Sequence, residues 1–274
     1  MKDLLKDYIN NTDLTNYKYL RINFGNERHG PGLCDQLFQL KLYLKIAHEL
    51  GLILILPERK LQPHHNAGRI VSGVISEFYD IDCIKIDGNI VEVMESKQHL
   101  KSTEVLILKA LKRTKEVDTI LTYHNHLDYT VDLVRAKKDV SLANQVIKNR
   151  NIQGCIHIRR GNRLVVGDQD LTGDDINQAT NAKQIIHLLD STNAPRVIYI
   201  MSDMLRDDEN IKELNKCDRY EFVFLYDIPW LRQVKIDNNY RVFNIELAIQ
   251  ESSNLSYSKS KLDVVKFWRE ENKT

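Results

Sequence analysis

Residues 154–163 read GCIHIRRGNR, and the rest of the chain is best understood outward from them. Gly154–Arg159 reads as a strand, apolar up to Ile158 except for His157, the pattern of a buried strand in a parallel sheet. Arg159 and Arg160 stand where that strand emerges, and Gly161 permits a sharp turn directly behind them. A guanidinium offers a planar fork of donors that matches phosphate oxygens two at a time, and a strand end holds the fork pre-organised. These residues therefore point to an anion site. The alternative is a structural ion pair between the arginines and a nearby carboxylate. His157 alternates with Arg159, so the two side chains share a face. There His157 either orients a neighbour from the core or touches the ligand itself.

The segments that follow repeat one theme, short β-branched runs separated by helical patterns. Ile176–Leu189 reads as a helix, Arg196–Met201 as a strand, Asp207–Leu214 as a helix and Tyr220–Leu225 as a strand. Tyr240–Gln250 is a helix, Asn254–Tyr257 a short strand and Leu262–Arg269 a terminal helix. The N-terminal half begins in the same way. Tyr17–Phe24 is a strand, Gly25–Gly32 a glycine loop and Cys34–Leu50 a helix closed by Gly51, before the buried strand Leu52–Leu56. In between, Ile84–Ile86 and Ile90–Val93 flank an Asp87-Gly88 turn, the signature of a hairpin. Glu104–Arg113 reads as a helix, Thr119–Tyr123 as a strand and Val131–Lys148 as a long helix. The expectation is an α/β protein of two domains, residues 1–135 and 136–274. A ligand cleft is expected between them at the C-terminal ends of their strands.

The chain of 274 residues carries 39 Lys and Arg against 38 Asp and Glu, a net charge of +1. That balance gives no general attraction to nucleic acid or an anionic membrane, so any basic site is local. Cys34, Cys83, Cys155 and Cys217 are far apart and form no CxxC pair, which suggests neither a zinc site nor a disulfide framework. Cys155 reads as a small core residue. A reducing cytoplasm is the simplest setting. MKDLLKDYINN at the N-terminus is an amphipathic, charged helical pattern rather than a signal peptide. No apolar run reaches the length of a membrane span.

Three further segments carry candidate chemistry. Gly30-Pro31-Gly32 leads into Leu33-Cys34-Asp35-Gln36 at a strand–helix junction, where bare backbone can approach a ligand and helix amides attract anions. Asp35 occupies the third glycine position of the dinucleotide fingerprint, so a nicotinamide site is excluded. Ile200-Met201-Ser202-Asp203 ends an apolar strand in an acid that either faces a cleft or caps the next helix. Pro57–Arg69 holds His64, His65, Arg59 and Arg69, either a solvated basic loop or an acceptor-side surface.

Taken in order, the glycine loop, His157-x-Arg159-Arg160 and Ser202-Asp203 resemble the GDP-fucose-dependent fucosyltransferases. The α1,2 and α1,6 groups are the nearer, and the protein O-fucosyltransferases more distant. The run Gln36-Leu37-Phe38-Gln39 looks most like the α1,2 group, and Ser253–Ser260 is similar to a late serine-rich segment of the family. The resemblance covers about residues 20–268, with the middle unmatched. It implies a GT-B-like α/β fold, two facing Rossmann-like domains with largely parallel sheets and a cleft between them. Residues 1–135 would then be the acceptor side and residues 136–274 the donor-binding domain. It also implies an inverting transfer of fucose from GDP-fucose to a glycan or other hydroxyl, with no metal and no cofactor beyond that donor. Arg159 and Arg160 would hold the diphosphate, with Gly30, Gly32, His157, Asn162, Asp203, Ser256 and Ser258 completing the donor site. The implied partners are a sugar nucleotide and a glycan acceptor, not nucleic acid. A membrane-borne glycan would be met peripherally, from the cytoplasmic side. Asn162 stands where the family has an acid. The proton acceptor must then come from elsewhere, with Asp168, Asp170, Asp174 and Asp175 as candidates and Asp168 the first choice, or the departing phosphate serves. The same departure keeps open a non-catalytic nucleotide- or glycan-binding protein of this fold, beside a glycosyltransferase using another sugar nucleotide.

Overall fold

The computed structural model describes residues 13–23, 33–57, 75–96, 100–109, 127–158, 172–202, 208–253 and 255–258. The chain divides into two compact units, Met1–Ala136 and Lys137–Thr274.

In the first unit, β1 (Tyr19–Asn23) precedes α1 (Leu33–Glu49) and β2 (Ile53–Ile55). The hairpin of β3 (Lys85–Ile86) and β4 (Asn89–Ile90) follows, then β5 (Val93–Met94), β6 (Val105–Lys109) and β7 (Val131–Asp132). Strands β5-β2-β1-β6 form one parallel sheet, and β4-β3-β7 a small antiparallel one. The expected hairpin turn is present, with Asp87 and Gly88 both at positive φ, 49° and 79°, as a two-residue turn matching strand twist requires.

Three expectations in this unit are corrected. Val105–Lys109, read as part of a helix, is a strand, because its apolar run pairs in parallel with β1 from Tyr19↔Val105 to Asn23↔Lys109. The supposed strand Ile90–Val93 is two pieces: Ile90 closes the hairpin, and Val93 starts β5 against β2. The long helix from Val131 begins only at Lys137, since Val131 and Asp132 pair with β3.

In the second unit, α2 (Lys137–Arg150) runs into β8 (Gly154–Ile158). Helices α3 (Gly173–Thr180) and α4 (Ala182–Ser191) precede β9 (Val197–Ser202), and α5 (Glu209–Leu214) precedes β10 (Glu221–Phe224). Helices α6 (Pro229–Asp237) and α7 (Asn239–Ser252) then lead to β11 (Leu255–Ser258). The single helix expected over Ile176–Leu189 is broken at Asn181, whose side chain accepts from Gln184 N and starts a new helix. Helix α6 was not foreseen, because its pattern is short and begins at a proline in the first turn. The sheet is parallel throughout in the order β10-β9-β8-β11.

Every residue of β8 is buried, and its two faces feed different cores. Cys155 packs with Tyr199, Met201 and Val223 against Val146, Leu231, Ile245 and Ile249 on α2, α6 and α7. Ile156 and Ile158 pack with Ile198 and Ile200 against Ile185 and Leu189 on α4 and Ile211 and Leu214 on α5. Each fully buried isoleucine there contributes about 2 kcal/mol of transfer free energy. Three helices end in the same left-handed cap before their strands. Gly51, Asn151 and Asn193 have φ of 66°, 51° and 49°. Behind them the amides of Leu52, Ile152 and Ala194 bond back to Ala47, Ile147 and Leu189.

Helices α2 and α7 are joined by a buried ionic node. Asp139 is fully buried. Its Oδ1 accepts from Arg241 Nε and Nη2 at 3.0 and 2.8 Å, and its Oδ2 accepts from Asn244 Nδ2 at 2.7 Å. Removing the carboxylate takes the counter-charge from partly buried Arg241 and one acceptor from buried Asn244. Asp139→Ala is therefore expected to lower stability by about 3 kcal/mol, read as a lower urea midpoint with unchanged slope.

Candidate functional site

The strand order within each parallel sheet sets where a ligand can bind. Numbering each sheet's strands along the chain, both read 3-2-1-4: β5-β2-β1-β6 and β10-β9-β8-β11. The chain builds outward from the first strand on one side and then returns to pair with it on the other. In open parallel sheets a reversal of strand order of this kind, between the first and fourth strands, marks the carboxyl ends where ligands bind. In the first unit the point falls at Asn23 and Lys109, and in the second at His157 and Ser258.

Register makes the second site specific. One row across the sheet is Ser256, Cys155, Tyr199 and Val223. The next row toward the carboxyl edge is Ser258, His157 and Met201. The structure thus brings His157, Ser256 and Ser258, residues separated by about a hundred positions, onto two adjoining strands. His157 is buried, at 8% exposure, and Ser256 is half-buried. Ser202 ends β9 beside Ile158 at the same edge. Gly30, Gly32, Arg159, Arg160, Asn162, Asp168, Asp170 and Asp203 lie outside the described residues, as do Arg59, His64, His65 and Arg69.

Two alternatives left open by the sequence are narrowed. Helix α5 is capped by Asp208, whose Oδ1 accepts from Asn210 N at 2.9 Å, so Asp203 is not its cap. Asp174 sits exposed in the first turn of α3, as a solvated charge would. Cys155 is fully buried, as expected of a core residue. Among the described residues, no group of three or more His, Cys, Asp or Glu side chains could hold a metal ion. Among the same residues, no helix is long and apolar enough to cross a membrane.

Sequence reasoning missed a buried acid beneath the second sheet. Glu246 on α7 is 7% exposed, and its Oε1 accepts from Tyr199 Oη at 2.8 Å. Burial pushes this carboxyl up from 4.5 to about 7, against the Tyr199 hydrogen bond and the charge of Lys235, which both favour ionisation. Burial and the neighbouring Glu246 drive the Tyr199 phenol well above its ordinary value, so it remains a donor. Only the helical phase of Glu246 among Ile245, Ala248 and Ile249 hinted at burial, and a lone acid in an apolar stripe is an ambiguous sign. Also missed was Arg135, buried under Tyr79, donating to the Tyr79 hydroxyl at 3.0 Å with its guanidinium 5.5 Å from the ring centroid. The first unit also has a crevice of about 180 Å³ lined by Leu44, His48, Leu52, Ile86 and Glu92. It lies at the amino end of β2, away from the strand carboxyl ends.

No protein-family model matches the sequence, and no curated protein matches it. Solved structures do match by fold. POFUT1 in complex with GDP aligns at 12% identity and a TM-score of 0.51, over 90% of this chain and 99% of that chain. POFUT1 in complex with GDP-fucose aligns at 11% identity and a TM-score of 0.51, with the same coverage. NodZ α1,6-fucosyltransferase soaked with GDP-fucose aligns at 8% identity and a TM-score of 0.48. The chain therefore has the α/β fold with parallel sheets found in GT-B glycosyltransferases. Within that class it resembles POFUT1, a GDP-fucose-dependent fucosyltransferase.

Glu246 yields a pH dependence of stability with a definite sign. The folded protein keeps a proton that the unfolded chain releases near 4.5. The resulting stabilisation is complete below that value, declines as pH rises and is gone above about 7, a loss of order 3 kcal/mol. Glu246→Gln should remove this decline, so that urea unfolding of wild type and variant diverges toward alkaline pH, with the variant the more stable.

Proposed function

We propose that the chain is an inverting glycosyltransferase that moves fucose from GDP-fucose to a hydroxyl of a glycan or other acceptor, without a metal. The observation that carries this reading is the alignment of His157 with Ser258 at the switch point of the second sheet, directly before Arg159 and Arg160 in sequence. The fold likeness to POFUT1 over 90% of the chain supports it. POFUT1 structures hold GDP and GDP-fucose.

In this reading residues 136–274 bind the donor and residues 1–135 face the acceptor. Arg159 and Arg160 grip the diphosphate, while His157, Asn162, Ser256 and Ser258 donate hydrogen bonds to phosphate or guanosine. Asp203 contacts the ribose or guanine, and the backbone at Gly30 and Gly32 closes on the donor. The acceptor oxygen attacks the anomeric carbon from the face opposite the diphosphate. The carbon–oxygen bond to the diphosphate breaks, and its electron pair leaves with GDP. Two guanidinium groups stabilise that growing negative charge as a metal ion would. The acceptor proton passes to Asp168, or to the departing phosphate if no carboxylate is in reach. The setting is cytoplasmic, with peripheral access to a membrane-borne glycan.

Calorimetric titration with GDP tests the donor site. Wild type should bind GDP, and Arg159→Ala should weaken binding by about tenfold or more, the usual contribution of a charge-assisted hydrogen bond. A folded protein that binds neither GDP nor GDP-fucose refutes the reading. Binding without turnover of GDP-fucose, with or without acceptor sugars, would instead favour the non-catalytic role that Asn162 keeps open.

A further inference from the structure

Glu246 is a buried acid that the proposed chemistry leaves unused, and its partner Tyr199 lies one row behind the residues that chemistry needs. Its only hydrogen bond among the described residues comes from Tyr199, which pairs with Cys155 on β8. Cys155 in turn pairs with Ser256 on β11. The row ahead holds His157 and Ser258, about 7 Å further along the strands. Helix α7 is also the element that delivers β11, because Ser252 ends the helix and Leu255 begins the strand. Seating of α7 on the sheet therefore governs how β11 meets β8. At its first turns the helix is fixed by Arg241 and Asn244 on Asp139 of α2. Further along, Glu246 makes a polar contact with the sheet through Tyr199.

The charged and titratable groups around Glu246 come from each element against which α7 packs. Strand β9 presents Tyr199, and β8 presents Cys155 with His157 a row ahead. Helix α6 presents Lys235, whose charge favours the ionised carboxylate. The turn after β10 presents Asp227, whose field reaches Tyr199. Helix α2 presents Asp139, already closed by Arg241 and Asn244. None of these forms an ion pair with Glu246 among the described residues, so an ionised Glu246 lacks a partner charge in contact. A buried carboxylate in that position draws water in or shifts its helix to reach it.

We propose that Glu246 is a proton-linked brace on the donor site. Neutral, it lets α7 seat on the sheet and hold β11 against β8; ionised, it loosens that pairing and weakens capture of the sugar nucleotide. This rests on the reading of the second sheet's carboxyl edge as the GDP-fucose site. Because burial moves the carboxyl to about 7, the brace responds across neutral pH.

Calorimetric titration with GDP-fucose from about pH 6 to about pH 8.5 tests it, since the diphosphate diester of this donor does not titrate there. Wild-type affinity should fall about tenfold more than that of Glu246→Gln, a coupling of ordinary size between linked sites. Comparison with that variant cancels any titration of His157. Tyr199→Phe removes the bond that favours the ionised form and should move the wild-type break to higher pH. Carbon-13 NMR of the Glu246 carboxyl reads the same ionisation directly. Parallel pH profiles for wild type and Glu246→Gln, or a carboxyl titrating below 5, overturn the brace while leaving the donor site standing. Absence of GDP-fucose binding at any pH overturns both.

Discussion

The return of β11 to the free side of β8 is the constraint on which the second unit depends. Without it, β8 would be an edge strand with one row of unpaired amides and carbonyls, and its mostly apolar sequence would be exposed along that edge. With it, β8 becomes central, buried on both faces and bonded on both sides. The same return makes the strand order reverse at β8 and sets His157 beside Ser258 at the carboxyl edge. Core and candidate site are thus products of one pairing. The first unit repeats the arrangement, with β6 returning beside β1.

The helices that feed these two strands carry the polar anchors. Helix α2 enters β8 and α7 enters β11, and the Asp139 node ties one helix to the other. A buried ion pair of this kind adds little net stability over an apolar contact of equal volume, but it tolerates only one alignment. The two helices it joins are the ones that lead into β8 and β11, the strands that pair His157 with Ser258. The left-handed caps at Gly51, Asn151 and Asn193 serve a similar end, turning each helix into its strand within a few residues.

What was legible in the sequence follows from how local each signal is. Gly154–Ile158, Val197–Ser202 and Leu33–Glu49 declare themselves through periodicity and a closing cap, and they lie where the pattern puts them to within a residue or two. Val105–Lys109 was misread because an apolar run bounded by charges fits either a buried helix or a strand, and only pairing with Tyr19–Asn23 decides between them. Val131-Asp132 failed for the same reason, its partner being β3 forty-odd residues away. Of the candidate site, His157, Ser256 and Ser258 were proposed from motif order, but their adjacency is a fact of register that no linear reading contains. Glu246 and Arg135 were invisible because burial of a charge depends on the neighbours supplied by other elements.

The sheet also bears on how the departure at Asn162 should be weighed. An acid within the segment 159–163 would neutralise part of the charge that Arg159, Arg160 and Arg163 bring, and so lower the anion affinity of the strand end. With asparagine there, that short segment holds three guanidinium groups and no carboxylate. Electrostatically this favours capture of a diphosphate and stabilisation of a departing one, while removing the most local proton acceptor. On the proposed reading the two halves of the reaction are therefore separated: the strand end is specialised for the leaving group, and the acceptor's proton is left to a group outside it. Buried Glu246 cannot take that proton directly, since it sits on α7 beneath the sheet with its oxygen on Tyr199. On the proposed reading its influence is indirect, through the seating of α7 and the pairing of β11 with β8.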